Sequence, residues 1–114
     1  MPKIKYDSSF SIKGGIETKQ SWKCANTPSV KVKVSITNNF FSRLKPDLAI
    51  HLRKKGLLGF HTVDEGRVSI NDGGGTVNLE GNGKGEYQIY FRHYVSEVVE
   101  ANFTVTLQYD DSIH

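Results

Sequence analysis

The residues of this sequence that are best suited to chemistry are tyrosines and arginines near its C-terminus. Tyr90, Arg92 and Tyr94 alternate with apolar residues, and because strand side chains point alternately to two faces, these three share one face. A tyrosine ring stacks on the apolar side of a sugar, while a guanidinium fixes its orientation through hydrogen bonds. We predict that these three residues, flanked by His51 and Arg53, bind a polysaccharide or a polymer of the cell envelope.

The full predicted surface requires three segments to lie in one sheet. If Val30–Thr37, Leu48–Arg53 and a C-terminal hairpin of residues 85–109 pair with one another, their solvent faces combine. The further residues brought to that surface are Lys31, Lys33, Gln88, Asn102, Thr104 and Gln108. The same set would suit an anionic polymer. The alternative is an ordinary polar sheet face, on which tyrosine and threonine serve only β-propensity.

Catalytic patterns are missing from the sequence. The four histidines, which occur in none of the usual metal-binding spacings, are His51, His61, His93 and His114. We therefore expect no metal site. The carboxylates are scattered beside loops, so the paired acids of a glycoside hydrolase are not indicated. We expect a protein without enzymatic activity.

The remaining candidates for chemistry are one cysteine and two glycine-rich loops, at residues 71–75 and 81–85. The single Cys24 excludes an intramolecular disulfide and a multi-cysteine zinc site, and we expect a structural thiol because no base accompanies it. The loop of residues 71–75 predicts a tight hairpin turn, since glycine supplies the positive φ that such turns need. The alternative is a calcium ion bound by oxygens of Asp72, Asn71 and Asn82. No other cofactor is expected.

The basic segment RKKGLLGF, residues 53–60, allows two interpretations. In one, it is a loop tip that touches a membrane surface or envelope, where cations meet anionic lipid and the leucines insert. In the other, which we favour, Leu57, Leu58 and Phe60 begin a buried strand after a basic turn at residues 54–56.

The elements that must position these residues are all strands. About eight short segments alternate with period two between glycine, proline and asparagine turn signals, and no window shows helical periodicity. This pattern predicts an antiparallel β-sandwich with jelly-roll or Greek-key connections, as a single domain spanning residues 1–114. The link at residues 96–100 predicts a hairpin between the last two strands. The core residues predicted for these strands are Ile89, Phe91, Phe103, Val105 and Leu107.

The remaining predicted segments follow the same alternation. They are a lead-in or short edge strand at residues 1–9, strands from Phe10 to Ile12 and from Ile16 to Cys24, strands at Leu57–Asp64, Arg67–Ile70 and Thr76–Glu80, and a connection containing Phe40, Phe41 and Leu44.

Composition narrows the class of partner. The net charge of +3, from 15 Lys and Arg against 12 Asp and Glu, indicates a mixed soluble surface, so we expect no nucleic-acid partner. No run reaches the roughly 20 apolar residues of a membrane span. No signal peptide is visible, and we expect the sequence to start at the mature N-terminus of a secreted protein with an added Met.

The second half of the sequence carries a family likeness. The stretch from RKKGLLGF through GGGTVNLEGNGKGEYQIYFRHYV to ANFTVTLQY resembles small secreted β-sandwich modules of bacteria. It shares with pre-peptidase C-terminal-type domains and some carbohydrate-binding modules a basic KKG turn, a glycine-rich hairpin and a G-x-Y strand opening. The likeness spans residues 48–109 and implies the fold and an extracellular setting, but it assigns no functional residues.

Three functions remain open at this point. The first is a secreted, non-enzymatic module that binds a polysaccharide or envelope polymer. The second is a small secreted antimicrobial or toxin-like protein that acts on cell envelopes through the basic turn and its apolar neighbours. The third is a structural surface protein that assembles through exposed strand edges.

Overall fold

The chain folds into antiparallel strands, as the alternation predicts. The computed structural model describes residues 3–38, 43 and 45–109; the predicted connection with Phe40, Phe41 and Leu44, and His114, lie outside this part. The strands are β1 (Lys3–Ile12), β2 (Gly15–Glu17), β3 (Trp22–Cys24), β4 (Ser29–Ile36), β5 (Asp47–Gly56), β6 (Gly59–Ser69), β7 (Gly74–Glu80), β8 (Gly85–Arg92) and β9 (Val99–Gln108). Within the described residues, no helix is present that could cross a membrane.

Two sheets face each other. The four-stranded sheet has the order β1-β9-β4-β7, and the five-stranded sheet has the order β2-β8-β5-β6, with β3 also paired to β8. When β2 and β3 are counted as one interrupted strand, eight strands remain and this order is that of a jelly roll. The predicted all-β sandwich with jelly-roll connections is confirmed.

Alternating side chains build the core between the sheets. In β4, Val30, Val32 and Val34 are buried, while Lys31 and Lys33 point to solvent. The five predicted core residues of β8 and β9 are all buried. A cluster of three rings, with centroids 4.7–6.0 Å apart, joins the two sheets and is formed by Phe10, Phe91 and Phe103.

The predicted C-terminal hairpin is wrong. β8 pairs with β2, β3 and β5, whereas β9 pairs with β1 and β4, so the two strands lie in different sheets. The alternation fixes which side chains of a strand face inward, but it does not fix the partner strand. The link at residues 93–98 therefore crosses between the sheets instead of reversing within one. Its direction is set by a buried histidine described below.

The predicted start of a buried strand at Leu57 is also wrong. β5 continues to Gly56 and β6 begins at Gly59, so Leu57 and Leu58 form the tip of a tight hairpin. The pairing of β5 with β8 ends at Lys54. Beyond that residue the described chain places no third strand beside the hairpin, and both leucines are exposed.

The two strands predicted at residues 57–64 and 67–70 are one strand, β6. Its register shifts where Leu52 pairs with Asp64 but Arg53 pairs with Thr62, which is a β-bulge. Gly66 resembles a turn residue in the sequence, yet it lies within the strand. A Cβ there would lie 2.9 Å from the side chain of Val77, so glycine permits β6 to approach β7 closely.

Residues 3–9 form more than a lead-in. β1 is ten residues long and pairs along its whole length with β9, at the edge of the four-stranded sheet. The prediction of an edge strand is therefore confirmed in kind, but the strand is longer than expected.

Candidate functional site

The candidate site lies on the outer face of the five-stranded sheet. Antiparallel pairing places Tyr90 opposite Glu17 on one side and opposite His51 on the other, and His51 lies opposite Glu65. The next row along the sheet runs from Gly15 through Arg92 and Ala49 to Arg67. Residues directly opposite one another project to the same face, so all five predicted site residues are on or beside this face.

Tyr90 is held by its neighbours. The guanidinium carbon of Arg53 lies 3.8 Å from the centroid of the Tyr90 ring, and the His51 ring centroid lies 5.8 Å away. Arg92 Nη1 donates to the Tyr90 hydroxyl at 3.1 Å. A Cβ at Gly15 would lie 2.1 Å from that hydroxyl. Because one face of the ring is already covered, Tyr90 supports the site and is not a free stacking platform.

Tyr94 is the exposed aromatic ring of this group. It follows the end of β8 and is 78% exposed. The guanidinium carbon of Arg92 lies 4.9 Å from the centroid of its ring, close enough for a cation–π contact. Most of the ring is open to solvent, so a sugar or another flat group can stack on it.

The loop that presents Tyr94 is anchored by His93, which the alternation places on the apolar face. His93 is 1% exposed. Its Nε2–H donates to Ile12 O at 2.8 Å, while its Nδ1 accepts from Val95 N–H at 3.3 Å. Its own backbone N–H donates to Gly14 O at 3.0 Å. These bonds tie the end of β8 to the β1–β2 turn and direct the neighbouring Tyr94 outward.

A notch opens beside Tyr94. Ala49 is paired with Arg92 on one side and with Arg67 on the other, so a small side chain stands between two long cationic ones. The cavity has a volume of about 250 Å³, and its lining residues are Pro46, Asp47, Ala49, Arg67, Tyr94 and Val95. We call this cavity the Ala49 notch. Pockets for drug-sized ligands span about 300–1,000 Å³, so the notch suits one residue of a polymer.

The charges around the notch are unevenly paired. Glu65 lies 3.2 Å from Arg67 Nη2 and 3.5 Å from His51 Nδ1. Burial lowers the pKa of His51, although Glu65 opposes that shift, so the imidazole is neutral at pH 7. Arg92 has no carboxylate within ion-pair distance among the described residues. The hydrogen bond to Tyr90 raises its pKa further, and its charge remains available to an anion.

Sequence reasoning missed five of the six residues that line the notch, and the three of these that bear on binding are Asp47, Ala49 and Arg67. Each becomes relevant only through the pairing of β5 with β6 and β8. No local signal marks them, because an alanine in a strand and charged residues near turns are common. The pairing register was the missing information.

Five residues predicted for the same surface lie elsewhere, on the outer face of the four-stranded sheet: Lys31, Lys33, Asn102, Thr104 and Gln108. They are separated from the site because β4 and β9 do not pair with β5 and β8. Gln88 does lie on the predicted face, opposite Arg53. A concavity of about 570 Å³ lies mainly on the four-stranded sheet, but no aromatic side chain lines it.

The other chemical candidates do not form a site in the described residues. Cys24 is buried and forms no disulfide, and burial raises the pKa of its thiol to about 11. Asp72 and Asn82 flank opposite ends of β7, a seven-residue strand about 20 Å long, so they cannot bind one ion together. No group of three or more His, Cys, Asp or Glu side chains in the described part could hold a metal.

Comparison with known proteins gives no assignment. No model of a known protein family matches the chain, and no curated protein matches it.

Proposed function

We propose that this chain is a secreted, non-enzymatic module that binds a polysaccharide or a cell-envelope polymer at the Ala49 notch. One observation carries the proposal: the exposed ring of Tyr94 lines a small cavity together with Arg67, and the guanidinium carbon of Arg92 lies 4.9 Å from the centroid of that ring. This combines an apolar platform with directional donors, which is what sugar recognition requires.

The geometry suits a polymer residue with a carboxylate or phosphate group. Adjacent strands are about 4.8 Å apart, so the backbones that bear Arg92 and Arg67 are about 10 Å apart across Ala49. Two arginine side chains can reach inward over that distance to one anion. Asp47 supplies an acceptor for hydroxyl groups on the same rim.

Tyr90 and Tyr94 have different roles in the proposed site. Tyr90 fixes Arg92 through a hydrogen bond and carries Arg53 on its face, while Tyr94 keeps its ring exposed. The predicted group of five residues is therefore divided into contacts for a ligand, Tyr94 and Arg92, and a supporting layer of Tyr90, His51 and Arg53. A fixed supporting layer lowers the entropy cost of binding.

Fold and resemblance agree with this proposal without deciding it. Jelly rolls include lectin domains but also virus capsid domains, so the fold alone assigns no function. The resemblance to small secreted bacterial modules supports an extracellular setting.

Affinity electrophoresis tests the proposal with three polymers: polygalacturonate, teichoic acid and neutral dextran. We expect wild-type protein to be retarded by at least one acidic polymer and not by dextran. Tyr94→Ala and Arg92→Gln should each reduce the affinity by roughly tenfold, the effect of losing about 1–1.5 kcal/mol of stacking or charged hydrogen bonding.

The matched control is Lys33→Gln, which removes one positive charge from the outer face of the other sheet. It should leave retardation almost unchanged. Absence of retardation by both acidic polymers would contradict the proposal. Equal losses in Lys33→Gln and Arg92→Gln would show that binding follows net charge and not the notch.

A further inference from the structure

The hairpin between β5 and β6 ends in two leucines that are fully exposed. Leu57 is 105% and Leu58 104% exposed relative to an isolated residue. Neither has a positive φ, whereas Gly59 has a φ of +111°, as in hairpins that combine a type I turn with a glycine bulge. That turn accepts most residue types at its two central positions. The backbone therefore requires Gly59 but does not require leucine at the tip.

Cations surround this tip. Residues 53–63 include Arg53, Lys54 and Lys55 and contain no acidic residue. Lys55 is exposed. Lys54 is held in place because its Nζ donates to Asn82 O, which brings the β7–β8 loop, with exposed Lys84, beside the hairpin.

We propose that the Leu57–Leu58 tip inserts into the interface of an anionic lipid bilayer, with Lys55 and its neighbours contacting lipid headgroups. The tip is convex and apolar, and its rim is positively charged, so it complements a deformable, negatively charged surface. A rigid protein partner would have to supply a matching pocket.

The tip and the Ala49 notch are separate sites. Ala49 and Leu57 are eight residues apart along β5, about 26 Å in a strand. The proposal for the tip therefore does not depend on polymer binding at the notch. If both hold, the module contacts a membrane at one end of the sheet and a polymer at the other.

Cosedimentation with vesicles tests the insertion. Wild-type protein should bind vesicles of phosphatidylglycerol and phosphatidylcholine in low salt and bind pure phosphatidylcholine weakly. Leu57→Ser with Leu58→Ser should reduce binding to the anionic vesicles at least about tenfold, because two large apolar side chains are lost from the contact. Lys55→Gln should give a smaller reduction that disappears at high salt.

The control variant is Val98→Ser, which changes a side chain that is exposed elsewhere on the molecule. It should bind vesicles as wild type does. Thermal unfolding should show that the double serine variant remains folded, since the turn geometry does not depend on leucine. Undiminished binding by that variant, or no binding of wild type to anionic vesicles, would overturn the proposal.

A labelling experiment reports insertion directly. Cys24 is buried and its thiol pKa is about 11, so a cysteine introduced at position 58 takes the label. An environment-sensitive dye on Leu58→Cys should shift to the blue with anionic vesicles, while the same dye on Val98→Cys should not. If the shift needs no lipid and instead follows protein concentration, the tip binds a second copy of the chain and the proposal is wrong.

Discussion

Replacing His93 with leucine tests how the loop that carries Tyr94 is held. His93 is 1% exposed, donates to Ile12 O at 2.8 Å and accepts from Val95 N–H at 3.3 Å. Leucine fills most of the same space but makes neither bond. A buried polar group without a partner costs about 1–3 kcal/mol, and Val95 is only half-buried. We expect the free energy of unfolding to fall by about 2–4 kcal/mol, with most of the loss at Ile12 O.

Urea unfolding followed by the fluorescence of Trp22 measures this loss, because Trp22 is 3% exposed in the folded chain and becomes hydrated on unfolding. The midpoint should fall without a change in the m value. The control is His61→Leu, at an exposed position, which should change stability by less than about 0.5 kcal/mol. A loss below about 1 kcal/mol for His93→Leu would refute the anchoring role.

Three further predictions concern single groups. Cys24 should not react with a disulfide reagent at neutral pH in the folded protein, because burial raises the pKa of its thiol to about 11. It should react fully in concentrated guanidinium, where the chain is unfolded. Rapid labelling of the folded protein would contradict the burial of this thiol. Burial lowers the pKa of His51, so protonation opposes folding, and stability that is present above pH 6.5 is lost as pH falls through the folded pKa. The melting temperature should therefore fall more steeply between pH 7 and pH 5 in wild type than in His51→Gln, and parallel curves would count against this. Gly15→Ala should displace the Tyr90 hydroxyl, which lies 2.1 Å from the new Cβ, and cost about 1–3 kcal/mol; an unchanged melting temperature would show that the ring moves freely.

The face of the sheet to which each side chain points could be predicted from the sequence, because it is a local property of the strand. In β4 and β8 the residues alternate with period two, and backbone geometry alone then decides which ones share a face. The burial of Val32, Ile89 and Phe91 follows from that rule. So does the outward position of Arg92 on the candidate site.

The partners of the strands could not be predicted in the same way. A six-residue link after Arg92 is long enough for a hairpin or for a crossing between sheets. The bond of His93 with Ile12 favours the crossing, and it depends on a segment 81 residues away. For the same reason Ala49 and Arg67 were missed.

The hairpin tip at Leu57 and Leu58 shows a different limit of prediction from the sequence. Hydropathy predicts that Leu57 and Leu58 are buried, since leucine is usually an interior residue. The glycines at positions 56 and 59 instead place a tight turn between them. Local turn geometry therefore outweighs hydropathy at this position.

The most direct test of the central claim is to fill the Ala49 notch. Ala49→Ile adds a β-branched side chain between Arg92 and Arg67 while keeping Tyr94 and every charge in place, and isoleucine suits a strand. Retardation by polygalacturonate and teichoic acid would then be measured beside the melting temperature. We expect retardation to be lost while the melting temperature stays within a few degrees of wild type, and undiminished retardation would contradict binding at the notch.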